Sequence, residues 1–443
     1  MLRAQPAAGI GRRDNSRIGL ALAGGGPLGG IYEIGALLAL ADALDGIDLN
    51  DLHVYVGVSS GSLMAAALAN GLSPAELYRI YIENASAEHP VTPDVFLRPA
   101  FGEYYQRAVA MPSLLLGSLW DYLQHPIERG LWGSMQGLGP AIPAGVFDST
   151  PIERFLTRMF TSGGRTNDFR KLPHRLFLVA TELDSGDSVE FGANGHDEVP
   201  IAKAVQASMA LPGLFPPARI RGRDYVDGAL KKTLHASVAL REGASLVLCI
   251  NPLVPFDASL ARKRGKPKHA KLIEGGLPVV LAQTFRALIH SRMQVGMAQY
   301  EKAYGDADVL LFEPNSDDAE MFFTNVFSYA NRRRVCEHAY QHTLREIARR
   351  RHELAPILGR HGIRLRAQVL NQAKPHIKTS PSLRLIAGRG VKSRLDASLS
   401  GLDEWLRQHQ TQLHGTARRV GRRLEKDSVS AGNGRGSAKP PVS

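Results

Sequence analysis

Cysteine is almost missing: Cys249 and Cys336 are the only two in 443 residues. That is too few for a disulfide framework and suits a reducing compartment. No apolar run approaches the roughly 18–20 residues needed to cross a bilayer. The opening stretch, MLRAQPAAGIGRRDNSR, has basic residues but no apolar centre, so a secretory signal peptide is not expected. Clustered Cys and His at metal-ligand spacing are absent, which argues against a resident metal, and no internal repeat is visible. What remains is an ordinary globular composition, 44% hydrophobic and 22% charged, with a cytoplasmic protein as the expectation.

Acidic residues are scarce only in the last quarter. Residues 1–330 hold 30 Lys and Arg against 34 Asp and Glu, whereas residues 331–443 hold 24 against 8. A second basic stretch, ARKRGKPKHAK, spans 261–271. Such segments suit solvent, an anionic membrane surface or nucleic acid. With neither zinc-finger spacing nor an RNA-binding aromatic run, no nucleic-acid partner is expected, and peripheral contact with anionic membrane is kept.

From Ile18 onward, strand-like and helical runs alternate. IGLALAGG, HVYVGVSS, RLFLVATEL, the stretch around RDYVDG, SLVLCINPL and ADVLLFEP read as strands. IYEIGALLALADAL, GSLMAAALANG and GLPVVLAQTFRALIHSRMQVGMAQYEKAY read as helices. The alternation predicts an α/β fold with a mostly parallel sheet covered on both faces. Residues 1–17 are expected to form a flexible leader. Residues 90–145, rich in Pro, Gly, Leu and aromatics, form an insertion, either an interfacial lid bearing Phe96, Phe101, Trp120 and Trp132 or a small helical cap. Residues 316–371 should be helical and pack on the main domain, 18–315. After residue 372 a basic polar tail is expected, with Leu402, Trp405, Leu406 and Leu413 on one helical face near 400–414 and a disordered end.

Three motifs carry chemistry. Gly57-Val58-Ser59-Ser60-Gly61 sits between a strand and a helix, the context of a nucleophile elbow that exposes its central serine. Gly24-Gly25-Gly26-Pro27-Leu28-Gly29-Gly30, also between strand and helix, can turn several backbone N–H groups toward one point. It reads either as a phosphate loop, though without the Gly-Lys-Ser/Thr ending, or as an oxyanion hole serving Ser59. Tyr225-Val226-Asp227-Gly228-Ala229 places a carboxylate at a strand end, where an Asp-Gly pair is otherwise an ordinary turn.

These motifs in this order, with ATELDSGDSVEF and AVQASMALPGLFPPARIRGRDYVDGAL, resemble the patatin-like phospholipase family over roughly residues 18–315. The resemblance implies a three-layer α/β/α hydrolase with a helical C-terminal extension. It also implies a Ser–Asp dyad of Ser59 and Asp227, an oxyanion hole from Gly24, Gly25, Gly26 and Ser60, and no cofactor. The substrate implied is a phospholipid or another acyl-ester lipid. A soluble carboxylesterase or thioesterase with the same dyad, and a catalytically weak membrane-surface scaffold, are the rival readings. A Ser-His-Asp triad would need a histidine such as His235, which nothing in the sequence places near Ser59. The chain departs from the family pattern at Leu28, where a basic residue is common, and at Ala229, where glycine is usual.

Overall fold

In the computed structural model, residues 2–5, 17–85, 94–124, 141–265, 272–324, 331–372 and 375–386 are described. The chain divides into two compact units, 1–382 and 383–443. The first carries the sheet and every motif named above.

Eleven strands are described: β1 (Leu2–Gln5), β2 (Ile18–Leu22), β3 (Leu44–Asp45), β4 (Val54–Val58), β5 (Arg175–Glu182), β6 (Ser188–Phe191), β7 (Ala218–Ile220), β8 (Arg223–Asp227), β9 (Leu246–Ile250), β10 (Asp308–Phe312) and β11 (Arg364–Leu365). Nine of them form one sheet in the order β1-β10-β9-β2-β4-β5-β8-β7, with β6 paired to β5. From β10 through β9, β2 and β4 to β5 the pairing is parallel. The strands β4, β9 and β10 are buried at every residue. Continuous apolar runs such as VYVGV and LVLCI are what a strand covered on both faces requires. Every segment read as a strand from Ile18 onward is a strand here.

The edge beyond β5 departs from the parallel pattern. Strand β8 runs antiparallel to β5, with Ala180 opposite Asp227 and Glu182 opposite Tyr225. A tight β7–β8 hairpin, with Gly222 at φ 82°, explains the reversal. On the opposite edge, Leu2–Gln5 pairs antiparallel with β10, so part of the expected leader belongs to the sheet. Its partner strand leaves an open row of backbone groups, and pairing satisfies them. Residues 6–16 lie outside the described part.

Helix α1 (Gly26–Ala43) follows β2, and α2 (Ser60–Ala69) follows β4. The helix Arg332–Arg349 lies against α1 so closely that a Cβ on Gly35 would meet the Cys336 carbonyl oxygen at 2.4 Å. Tyr340 donates to Asp42 at 2.8 Å, and Ser382 donates to the other Asp42 oxygen through its backbone N–H. The polar tail therefore starts later than expected: Ile377 and Ser380 are buried, because their segment satisfies groups at the end of α1 and on Glu337. The helix expected near 400–414 and the chain end lie outside the described residues.

Within the 90–145 insertion, Phe101–Gln124 is one helix containing Pro112. Phe101, Leu116 and Trp120 are exposed on it; Trp132 falls in the undescribed part. The long helix expected after the basic stretch is present as Gly276–Ala303.

Candidate active site

Ser59 stands between β4 and α2 with φ 52° and ψ −125°, a left-handed conformation that a non-glycine residue holds only when its surroundings impose it. The two motif glycines show what imposes it. A Cβ on Gly57 would lie 2.4 Å from the Gly61 carbonyl oxygen, and one on Gly61 would lie 2.5 Å from the Leu22 carbonyl oxygen. The elbow folds this tightly onto itself and onto β2 only because neither position has a side chain. Ser62 then locks the turn, donating its N–H and its hydroxyl to the Ser59 carbonyl at 2.9 and 2.5 Å.

Sheet register brings Asp227 to the same place. Val58 pairs with Val179 across β4–β5, and Ala180 pairs with Asp227 across β5–β8. Ser59, the residue after Val58, thus stands level with Ala180 on one side of β5 as Asp227 does on the other, and the Ser59 hydroxyl acts on the Asp227 carboxyl to lower its pKa. The carboxylate also accepts the Ala229 N–H at 2.8 Å. Gly228 lets the chain turn here, since a Cβ would meet the Val179 carbonyl oxygen at 2.3 Å. Asp227 is 2% exposed. Burial pushes its pKa up to about 6, against the opposing pull of the Ser59 hydroxyl and the Ala229 amide.

The glycine run forms the third wall. A Cβ on Gly24 would sit 2.9 Å from the Ser59 Cβ, so this backbone lies directly against Ser59. The Gly24 N–H is turned toward the Thr233 carbonyl at 3.4 Å, a long contact. Gly25 caps α1 and is pressed against Pro252. Gly26 opens α1 with φ 61° and has open space where a Cβ would project. Ser60 opens α2, and its buried hydroxyl, without a hydrogen-bond partner among the described residues, faces Gly29 at the first turn of α1. Neither helix has an acidic residue in its first turn. Two helix N-termini, with their unsatisfied N–H groups and positive dipole ends, therefore meet beside Ser59.

Reading the motifs one by one left out Ser208 and Ala210. The Ser59 N–H donates to the Ser208 hydroxyl at 2.8 Å, and that hydroxyl donates to the Val179 carbonyl at 2.6 Å. Asp227 donates its N–H to the Ala210 carbonyl at 3.0 Å. One short stretch, Ser208–Ala210, thus holds the backbones of both Ser59 and Asp227. The signal was the run ASMALPG, whose small polar residue before a buried turn has no packing reason.

His235 takes no part. It is buried, its Nε2 has no hydrogen-bond partner among the described residues, and burial together with Lys232 holds its pKa down to about 3. The groups acting on Asp227 include no histidine. Leu28, where a basic residue was anticipated, is buried. Ala229 packs beside Gly24 while its N–H serves Asp227. Among the described residues no group of three or more His, Cys, Asp or Glu side chains is arranged to hold a metal ion.

Comparison with known proteins matches residues 20–240 to the family of patatin-like phospholipases. An uncharacterised NTE-family protein of Mycobacterium tuberculosis is 25% identical over 243 residues, which cover 55% of this chain and 31% of that protein. The uncharacterised protein R571 of Acanthamoeba polyphaga mimivirus is 25% identical over 223 residues, covering 50% of this chain and 60% of its own. The chain therefore spans about a third of the length of the mycobacterial relative. Among solved structures, VipD of Legionella pneumophila aligns over 77% of this chain and 78% of its own, at 14% identity and a TM-score of 0.30.

Proposed function

Because this chain belongs to the patatin-like phospholipase family through residues 20–240, we propose that it is a serine lipid acyl hydrolase working with a Ser59–Asp227 dyad. The observation that carries the reading is the placement of Ser59 and Asp227 at one level on either side of β5, with the Asp227 carboxyl buried to the point of a raised pKa. Ser59 Oγ attacks the ester carbonyl carbon while its proton passes to Asp227. An aspartate at its ordinary pKa is a poor base for an alcohol; burial makes this one a better acceptor.

Negative charge then develops on the former carbonyl oxygen. Backbone N–H groups of Gly25, Gly26 and Ser60, at the starts of α1 and α2, are the proposed donors, with Gly24 contributing its close backbone approach. One such donor is commonly worth about 3–4 kcal/mol of transition-state stabilisation. Collapse expels the alcohol, which takes the proton back from Asp227 and leaves an acyl-enzyme on Ser59. Water, deprotonated by Asp227, cleaves that ester, releases the fatty acid and returns the proton to Ser59.

The substrate class is a phospholipid or another acyl-ester lipid, the place of action the cytoplasm and its membrane surfaces, and the chemistry needs no cofactor. The test is labelling with a fluorophosphonate, then turnover of phospholipid and of a short p-nitrophenyl ester. Wild type should label and Ser59→Ala should not. Equal labelling of the two removes Ser59 from the mechanism. Short-ester turnover without any phospholipid turnover would replace the lipid reading with a soluble esterase.

A further inference from the structure

The parallel strands all end at one edge of the sheet, the edge at which α/β proteins bind their ligands. Ser59 follows β4 there, and the glycine run follows β2. A separate hollow lies beyond the end of β10, between the loop that carries Asn315 and Asp318 and the helix Arg332–Arg349. Its volume is about 350 Å³, enough for a small polar molecule. One side chain on its wall lacks what burial normally demands. His342 is 7% exposed, yet neither ring nitrogen has a hydrogen-bond partner among the described residues. Burial above all holds its pKa down to about 3, so the ring is neutral and offers one N–H and one bare nitrogen. A buried polar group in that state is costly, and the cavity it lines is where a partner reaches it.

Charge decides what that partner is. Both carboxylates on the wall are already answered: His338 donates its Nε2–H to Asp318 at 2.6 Å, and Arg349 donates to Glu346 at 2.7 Å. Arg345, also on the wall, is not. Its Nε donates to the Gln341 carbonyl of its own helix at 3.1 Å, and its terminal nitrogens meet no acceptor among the described residues. Three residues apart, His342 and Arg345 are neighbours on one helix face. Asn315 adds a side-chain amide from the opposite wall. A cationic ligand would find both carboxylates taken. Among the described residues no three His, Cys, Asp or Glu side chains converge on a metal position either. An anion is what the unanswered guanidinium attracts.

We infer that the hollow between the loop after β10 and the helix Arg332–Arg349 binds a phosphate monoester through Arg345, His342 and Asn315. The phosphate oxygens accept from Arg345, from Asn315 and from the N–H of His342. In its singly protonated form the phosphate keeps one hydroxyl, which donates to the bare nitrogen of His342. Sulfate and carboxylate anions have no such hydroxyl at neutral pH and leave that nitrogen unanswered. Binding here does not involve Ser59, so Ser59→Ala should bind the phosphate as wild type does.

The experiment uses the full chain. Inorganic phosphate and glycerol 3-phosphate, at about ten times their Kd, should raise the melting temperature by about 2 °C, and sulfate at the same concentration by less. Arg345→Gln should weaken glycerol 3-phosphate at least about tenfold by titration calorimetry. Its melting temperature without ligand should match wild type, because Arg345 is exposed. His342→Leu replaces an unpartnered imidazole with an apolar side chain, so it should melt no lower than wild type and gain nothing from phosphate. Should that variant not fold, Arg345→Gln decides alone. A second arm compares phosphatidylcholine vesicles containing phosphatidic acid with vesicles containing phosphatidylglycerol. A preference for phosphatidic acid that Arg345→Gln removes assigns the phosphate to a lipid headgroup; stabilisation by glycerol 3-phosphate without that preference assigns it to a free phosphate monoester. No response in either arm overturns the site, as does a response that Arg345→Gln retains in full. Equal stabilisation by sulfate overturns the phosphate assignment.

Discussion

At the scale of single residues, burial of Asp227 ties stability to pH and, under the proposed dyad, activity as well. Its pKa near 6, against 3.8 for an ordinary aspartate, means the folded state holds the proton more tightly than the unfolded chain. The associated stability is fully present below pH 4 and is lost as the pH rises through about 6, when a buried negative charge must form. That loss amounts to about 3 kcal/mol at pH 8. Under the proposed dyad activity runs the other way, since only the carboxylate could accept the Ser59 proton. Turnover measured against pH should therefore rise with a midpoint near 6. Asp227→Asn should nearly abolish turnover yet melt higher than wild type at pH 8, and the gap should close at pH 4. A wild type that gains stability from pH 4 to 8 relative to the variant would contradict the burial. The sequence identified this aspartate through an Asp-Gly pair and a resemblance; its raised pKa depends on which side chains surround it, and no local pattern records that.

At the scale of elements, the elbow is a close packing of β2, β4 and the first turn of α2, in which glycine is a steric requirement at two positions. Gly61→Ala would put a methyl group 2.5 Å from the Leu22 carbonyl oxygen, with backbone on both sides and no flexible group to yield. Destabilisation of about 1–3 kcal/mol or more is expected, with a larger fractional loss of turnover because Ser59 shifts with the turn. Thermal melting and ester turnover measured together check this. The strand and helix runs were readable because β4, β9 and β10 are buried on both faces and must be continuously apolar. The direction of β8 was not readable. RDYVD has the same composition in either orientation, and its reversal follows from the hairpin with β7. Likewise Ser208 was visible as a letter, but its hydrogen bond to Ser59 crosses 149 residues.

At the scale of the whole molecule, the boundary after Ser382 separates the part that holds the site from the basic C-terminal unit. Removing 383–443 takes away a strongly positive segment without touching Ser59, Asp227 or the Ser382–Asp42 link. Turnover of a soluble ester should stay within about twofold, while binding to anionic vesicles at low salt should weaken and lose part of its salt dependence. Unaltered vesicle binding would confine membrane contact to the first unit. Composition, apolar periodicity and glycine placement determined that this chain is an α/β protein with two strand–turn–helix junctions, because those signals act between neighbours a few residues apart. Only the tertiary structure decided that Ser59, Asp227 and the glycine run share one edge, that Ser208–Ala210 braces them, and that Leu2–Gln5 and Ile377 belong to the packed unit. Those facts depend on register across β5 and on contacts between distant segments, which cooperative packing selects and local preference does not encode.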